Sequence, residues 1–583
     1  DKKRGLLNNI LNSWNDSKKT FRLLKRVTLL HDEYPFRYDF SVVKTSKLFR
    51  KRNQMIPEFT IQEADLFNNM MHYEIEIELL NDKCQKYSGM VLESLLKKNI
   101  QFVLSGLQFS NYPISYVERN NILKEYLELT LDKKTFDDLK EDNTFNLKKR
   151  KSRRYFSGPS SISLEMKNIV PLDSVVASSE NINNAYTVTE KADGERKMLY
   201  ISENKKVYLI DINLNVQFTG LICRNEEYLN TLIDGEHVLH DKEGNYINYY
   251  LCFDIYYLNG EDQRLFAFTP IEGLQYESKM EKEKFRYNEL IKTVDKMELN
   301  TVSSQGLKLN IMVKEFFTNQ NSSIFKQCKV ILDKEKNGQF VYETDGLIFT
   351  PIDKSVGSTK LGVLENNKTW NLSFKWKPPQ YNTIDFLITT KKNKDGTDFV
   401  GNIFNTGNDN EITQYKTLIL RVGYDERKHG FMNPCDTIIE DKIFENYDQR
   451  NSYKPVPFHP TDPTPNYKIY LCNIVLRKQG ASLKMLTENG KEEIEDNMIV
   501  EFKFNKDAES HWQWVPIRVR YDKTADFKSG GRNYGNAYHV AQSVWRSINN
   551  PITEDIISSG EGIVENVYDD DVYYNRKSNE TYT

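Results

Sequence analysis

The sequence predicts a multidomain α+β protein, and three observations carry that expectation. The chain has 583 residues, room for three or four domains of roughly 150 residues each. Its apolar residues fall into short strand-like runs along most of its length, whereas residues 81–130 repeat at helical spacing. Beyond residue 385 the runs become short and are separated by loops, the pattern of a small β-barrel. Charged residues make up 28% and hydrophobic ones 39%, the balance of a globular chain. The formal charge of −3 gives no global basic field, so any nucleic-acid contact must come from local basic runs. No apolar run approaches the roughly 18 residues that span a bilayer, so no membrane partner is expected. Six scattered cysteines without a C-x-x-C pair argue against a disulfide framework or a cysteine zinc site, and suit a reducing compartment.

Residues 1–80 hold three strand-like segments, at 20–29, 36–44 and 73–79. The third alternates strictly, so Glu74, Glu76 and Glu78 share one face and Ile75, Ile77 and Leu79 the other. By the same parity Arg37, Asp39 and Ser41 share a face, as do Arg22 and Arg26. Two readings stand side by side. The carboxylates form the solvated face of an antiparallel sheet, or they hold a divalent cation through hard oxygen ligands, with arginines nearby for phosphates. In 81–130, Val91, Leu92, Leu95, Leu96, Ile100, Val103, Leu104 and Leu107 are expected to pack. The basic run Lys148–Arg154 is a solvated linker or a contact for RNA phosphates.

The middle of the chain is organised around Lys191-Ala192-Asp193-Gly194, between the apolar runs 185–188 and 198–201. Asp193-Gly194 supplies turn chemistry, which leaves Lys191 at the end of a strand. Alone, K-x-D-G is a weak signal that favours an ordinary hairpin over a nucleophilic site. Further along come Asp234-Gly235-Glu236, then Phe253-Asp254, then Asp345-Gly346, then Lys375-Trp376-Lys377. Each sets one or two polar residues into an apolar strand, which is costly unless they line a site.

Beyond residue 385, strand-like runs at 384–388, 418–422, 469–475 and 498–502 fit a small barrel of the OB type. Pro455, Pro457, Pro460, Pro463 and Pro465 mark a long irregular loop. The expected closing strand runs 514–524 and carries Arg520-Tyr521-Asp522-Lys523. Residues 535–550 read as a helix able to pack back on the middle domain, and the tail after Pro551 is acidic and irregular.

In their order, these elements resemble motifs I, III, IIIa, IV and V of the covalent nucleotidyltransferases, the superfamily of ATP-dependent ligases and mRNA capping guanylyltransferases. The R-x-D-K element resembles motif VI of the guanylyltransferases, and ligases usually end differently there. The E-x-E-x-E strand after R-x-D-x-S resembles the tunnel-fold RNA triphosphatases, whose glutamates come from two strands. Only one set is visible here, so the chain is expected to begin inside that domain. The whole arrangement is similar to the multifunctional capping enzymes of large cytoplasmic DNA viruses, the poxvirus, African swine fever virus and giant-virus group.

The resemblance implies a fold of three parts. Residues 1–130 would be part of a triphosphate-tunnel β-barrel, 131–160 a basic linker, and 161–385 a nucleotidyltransferase domain of ATP-grasp-like antiparallel sheets with helices. Residues 386–530 would be an OB-fold barrel, and 531–583 a helix and linker leading to a methyltransferase domain that this chain lacks. It implies that Lys191 attacks the α-phosphorus of GTP to form lysyl-GMP and passes GMP to the diphosphate end of nascent RNA. Arg196 and Glu236 would meet ribose hydroxyls, and Phe253 would stack on the purine. Asp345 would serve a metal, and Lys375, Lys377, Arg520, Asp522 and Lys523 would serve the nucleotide's phosphates. Glu74, Glu76 and Glu78 would hold the triphosphatase metal, with Arg22, Arg26, Arg37 and Asp39 around the phosphates. Mg²⁺ or Mn²⁺ is the implied cofactor, a fused or associated cap methyltransferase the implied partner, and the cytoplasmic viral factory or virion the implied location. A ligase would share Lys191 but prefer ATP, with no need of the three glutamates.

Overall fold

The computed structural model describes residues 2–49, 54–67, 69–141, 153–174, 180–271, 284–302, 308–320, 322–365, 368–404, 412–430, 452–461, 463–480, 482–528 and 530–563. Most of the basic run (148–152), Cys435 and the acidic tail lie outside the described residues. The chain divides into two compact units, Asp1–Phe109 and Ser110–Thr583.

The three expected strands of the first unit form one antiparallel sheet, Arg22–Leu30 against Phe36–Thr45 against His72–Leu79. The register sets Arg26 opposite Ser41 and Ser41 opposite Glu74, then Thr28 opposite Asp39 and Asp39 opposite Glu76. Strand parity therefore gathers the charges on one face and leaves Tyr38, Phe40, Ile75 and Ile77 on the other. The helix Gly89–Gln108 hydrogen-bonds to that second face through Asn99 and the Tyr38 hydroxyl. Its apolar residues pack only in part: Leu92, Leu95, Val103 and Leu104 are half-buried, whereas Val91, Leu96, Ile100 and Leu107 stay exposed and Asn99 is the buried member of the helix.

The second unit begins earlier than the domain limit expected at 130. The helix Tyr116–Thr130 buries Ile122, Leu123, Tyr126 and Leu127 against Met198, Tyr200 and Tyr208 of the middle domain. Ser115 caps it, its hydroxyl accepting from the Glu118 amide at 3.1 Å. Two sheets follow. The eight-stranded one is built on Glu195–Ile201, Thr231–His240 and Tyr246–Leu258, and the five-stranded one on Tyr186–Ala192, Thr344–Pro351 and Thr369–Trp376. Long mixed runs such as Leu199, Ile201, Ile233 and Ile255 are fully buried because helices or the other sheet cover both faces.

A nine-stranded sheet built mainly from residues 383–519 closes round a core of Phe386, Phe458, Phe502 and Trp514. Two expectations fail here. Pro455 and Pro457 stand in a strand, Tyr453–Pro457, paired with the end of Ile412–Asp425. Such prolines are tolerated because the strand pairs on one side alone. The last barrel strand stops at Val519, and Tyr521–Lys528 is a helix. The helix Tyr538–Asn549 drives Trp545 into the rings of Phe458, Phe504 and Trp514, while Ser543 donates to Glu165 at 2.6 Å, so it joins the barrel to the middle domain as expected. The Trp376 indole completes this seam by donating to the Ile552 carbonyl at 2.8 Å.

Candidate active site

Lys191 does not sit in a hairpin. Its strand, Tyr186–Ala192, pairs with Thr344–Pro351 in the five-stranded sheet, while Glu195–Ile201 pairs with Thr231–His240 in the eight-stranded one. Asp193-Gly194 is where the chain crosses between sheets, which places Lys191 at the mouth of the space between them. Gly194 fits the crossing because a Cβ there would stand 2.7 Å from the His237 carbonyl.

That space is a cavity of about 150 Å³ lined by Lys191, Arg196, Glu236, Phe253, Lys314 and Ile348, among others. Phe253 comes from the eight-stranded sheet and Ile348 from the five-stranded one, so apolar groups of opposite sheets face a common slot. Arg196 is fixed by two hydrogen bonds to the buried Asp234, at 3.0 and 2.5 Å, and by one to the Pro159 carbonyl at 2.8 Å. Its guanidinium lies 5.6 Å from the Phe253 ring centroid. Burial pushes the Glu236 carboxyl up to about 7, even though Lys191, Lys314 and Arg196 pull the other way.

The Lys191 ammonium donates to Asp345 Oδ1 at 2.6 Å, and Lys377 meets Asp345 Oδ2 at 2.6 Å. Burial acts to raise the Asp345 carboxyl, but these two ammonium groups overcome it and hold the group below the ordinary carboxylate range. Gly346 allows this approach: at φ +143°, a Cβ would lie 1.9 Å from the Trp376 carbonyl. Lys375, on the same strand as Trp376, is held below the usual lysine range by burial and then by Lys377 and Lys191. The strand motifs thus converge: Lys191, Asp345, Lys375 and Lys377 in one cluster, with Arg196, Glu236 and Phe253 along the adjoining cavity.

Comparison with known proteins points in the same direction as the geometry. Residues 130–379 match the mRNA capping enzyme catalytic domain. Over 563 residues the chain is 28% identical to the probable mRNA-capping enzyme of Acanthamoeba polyphaga mimivirus, covering 90% of this chain and 41% of that one. The mRNA-capping enzyme of Danio rerio is 25% identical over 70% of this chain and 49% of its own length. That of African swine fever virus (isolate Warthog/Namibia/Wart80/1980) is 25% identical over 64% of this chain and 35% of its own. The chain spans less than half the length of each of these relatives. The resemblance drawn from the motifs therefore stands.

Motif VI is built differently from its expected form. Arg520 follows the last barrel strand, and Asp522 and Lys523 lie in the first turn of the helix Tyr521–Lys528. Arg520 donates to Asp385 Oδ2 at 2.8 Å and Lys523 to the same oxygen. Asp522 is exposed and meets Arg520 at 3.7 Å. The neighbouring Arg518 is lowered by burial, but Glu501, then Asp385 and Asp193, raise it above its ordinary value, which sets this barrel edge within electrostatic reach of the Lys191 crossing.

Sequence reasoning passed over Lys314 and Arg286, and it placed Asp234 and Asp254 in site-lining strands without giving either a role. Lys314 is buried, lines the cavity and donates to the Glu190 carbonyl; it sits in Ile311–Phe317, another apolar run broken by a lysine, so the signal was present. Arg286 is fully buried and donates through Nε to Asp254 at 2.9 Å, a pairing between residues 32 apart that no local pattern encodes.

On the first unit's sheet, Arg22 pairs with Glu74, Arg26 with Asp39 at 3.0 Å and Glu76 at 2.9 Å, and Arg37 with Asp39 at 3.3 Å and with Glu78. The three glutamates are thus joined to arginines, and among the described residues no group of three or more His, Cys, Asp or Glu side chains could hold a metal ion. At the Lys191 site the donor chemistry suits Mg²⁺ or Mn²⁺. Asp345 and Glu236 are hard oxygen ligands, and such ions are commonly held by one or two carboxylates together with substrate phosphates. No helix of the described residues is long and apolar enough to cross a membrane.

Proposed function

We propose that this chain carries the guanylyltransferase of an mRNA-capping enzyme. Lys191 attacks the α-phosphorus of GTP as the free amine. A P–N bond forms, the bond to the bridging oxygen breaks, and pyrophosphate leaves with that electron pair. Asp345, held below the ordinary carboxylate range, orients the Lys191 Nζ and does not take its proton, which passes to solvent before the amine attacks. In the second half-reaction a terminal oxygen of the RNA 5′-diphosphate attacks the same phosphorus, the P–N bond breaks, and Lys191 leaves as the amine and takes back a proton. Phe253 stacks the purine, and Arg196 and Glu236 meet the ribose. Lys375 and Lys377 neutralise charge building on the α-phosphate. A divalent cation held by Asp345 and Glu236 would polarise that phosphate when bound.

The observation that carries this reading is the convergence of Lys191, Lys375 and Lys377 on Asp345 beside the aromatic cavity. Lys314, held in the cavity wall by the Glu190 carbonyl and by the Glu190 carboxylate at 3.3 Å, keeps a third ammonium hydrogen as a donor for the carbonyl oxygen that guanine carries and adenine lacks. We read the nine-stranded sheet as the OB-type barrel and the sheet of residues 22–79 as part of an RNA 5′-triphosphatase, with Arg22, Arg26, Arg37 and Asp39 toward phosphates and Glu74, Glu76 and Glu78 toward metal. A cap methyltransferase, fused or associated, and action in the cytoplasm or virion complete the reading. Incubation with α-labelled GTP or ATP and Mg²⁺ or Mn²⁺ tests it. An acid-labile label from GTP is expected; label from ATP alone would make the protein a ligase, and no label from either would leave the site without this chemistry.

A further inference from the structure

We propose that a second cavity, walled by Lys375, Lys377, Tyr381, Asn382 and Asn536, docks the 5′-diphosphate end of the acceptor RNA; this rests on the GMP-transfer reading above. The cavity measures about 170 Å³ and lies between the end of the strand Thr369–Trp376 and the helix Tyr538–Asn549. The nucleotide cavity is lined by Lys191 but by neither Lys375 nor Lys377, whereas the second cavity is lined by both. Lys191 and Lys377 bind opposite oxygens of Asp345, so a single carboxylate separates the nucleophile from this second space.

Its electrostatics call for an anion. Three ammonium groups surround one carboxylate, and Lys375 makes no ion pair among the described residues. The far wall leads to further cations. Asn536 accepts from the Asp385 amide at 2.6 Å and donates its own amide to the Asp385 carbonyl at 2.8 Å, and Asp385 holds Arg520 and Lys523. The lining is also suited to more than a bare phosphate. Asn382 and Ser547 offer polar groups for a ribose, and Tyr381, 53% exposed, presents a ring on which a terminal base can stack without sequence preference. In-line displacement requires the acceptor to enter from the side the pyrophosphate left, facing away from Lys191. A diphosphate is common to pyrophosphate and to the RNA end, and the ribose and base contacts are what assign the cavity to RNA.

The test uses the whole chain and the variants Tyr381→Ala and Asn382→Ala, compared in four assays. These are GMP labelling from GTP, release of the label by pyrophosphate, transfer of the label to diphosphate-ended RNA, and binding of a fluorescent RNA oligonucleotide with a 5′-diphosphate or a 5′-hydroxyl. The expected result is a KM for RNA raised roughly tenfold in the transfer step, with labelling and pyrophosphate release within about twofold of the parent. The parent's preference for the diphosphate end in binding should shrink by a similar factor. An unchanged transfer KM, or an equal fall in all three reactions, overturns the assignment, and a loss confined to pyrophosphate release gives the cavity to the leaving group. If the parent takes no label from GTP, the functional reading fails, and the binding assay still decides the cavity: equal binding of both RNA ends, or no effect of Tyr381→Ala, refutes it.

Discussion

Two charged clusters in this chain use the same kinds of residue and are wired in opposite ways. On the sheet of residues 22–79, three arginines and four carboxylates alternate across strands, so that every member is ion-paired and a single negative charge is left on a largely exposed face. Around Lys191, two lysines share the partly buried Asp345 and Lys375 stands close by without an ion pair among the described residues, so positive charge is left over. A paired, solvated network of this kind is close to neutral in energy as it stands. An unbalanced, half-buried one is costly until an anion arrives. The contrast teaches that charge count alone is a poor guide to a site; the residual charge after pairing, and its burial, are what point to a ligand.

The sharpest way to break the contrast is to remove the nucleophile. Lys191→Ala should abolish GMP labelling, a loss of at least about a thousandfold, because Lys191 is the amine proposed to form the P–N bond. Labelling of the variant at a comparable level, read on a denaturing gel, would move the nucleophile elsewhere.

Next come the barrel cations. Arg520 and Lys523 are held by Asp385 and can act on the β- and γ-phosphates of GTP only if the barrel closes over the nucleotide. Arg520→Ala and Lys523→Ala should slow enzyme–GMP formation by roughly a hundredfold. Once pyrophosphate has left they have no leaving group to stabilise, so transfer of GMP to RNA should change much less. Charging the variants under forcing conditions and chasing with diphosphate-ended RNA separates the steps, and an equally severe slowing of the chase would show that these cations do not act through the triphosphate.

A smaller effect is expected from pH. The Glu236 carboxyl is raised by burial to about 7. Between its ordinary value and about 7 the folded protein holds a proton that the unfolded chain has lost, so stability falls as pH climbs through that window and levels off above it. Glu236→Gln, which cannot titrate, should flatten this slope. Melting temperatures of both proteins from pH 5 to pH 8 read it directly, and parallel curves would mean that Glu236 keeps an ordinary carboxyl.

Much of the Lys191 cluster was legible because each member interrupts an apolar strand, a pattern that burial makes expensive and therefore informative. The same signal was present at Lys314 and was passed over. What could not be read was non-local. The crossing at Asp193-Gly194 looks like a hairpin because its true partners, Thr344–Pro351, lie some 150 residues on. Motif VI read as a strand because Trp514–Val519 alternates, and nothing before Tyr521 announces the switch to a helix whose Thr524 hydroxyl accepts from the Ile499 amide at 2.9 Å. The first boundary was misplaced because an amphipathic helix shows its buried face, Ile122, Leu123, Tyr126 and Leu127, without saying which domain covers it. The apolar repeat of Gly89–Gln108 fails in part for the complementary reason: periodicity marks a face but does not supply its partner.

The smallest expected effect belongs to the fully paired cluster, and it tests the contrast from the other side. Glu76 pairs with Arg26 at 2.9 Å, and its side chain is 53% exposed. In Glu76→Ala, Arg26 keeps Asp39 at 3.0 Å and Ser41 at 2.9 Å, so neither an unpaired buried charge nor a cavity is created. An exposed pair of this kind contributes about 0–1 kcal/mol, and the melting temperature should move by little. GMP labelling and transfer should stay within about twofold of the parent. If the sheet serves a triphosphatase, γ-phosphate release in a protein that carries that activity should be lost by the same substitution. Urea unfolding, GTP labelling and phosphate release on one preparation decide among the outcomes. A labelling defect of tenfold or more would mean that the two clusters are coupled, and a stability loss of several kcal/mol would mean that the exposed network was not close to neutral in energy after all.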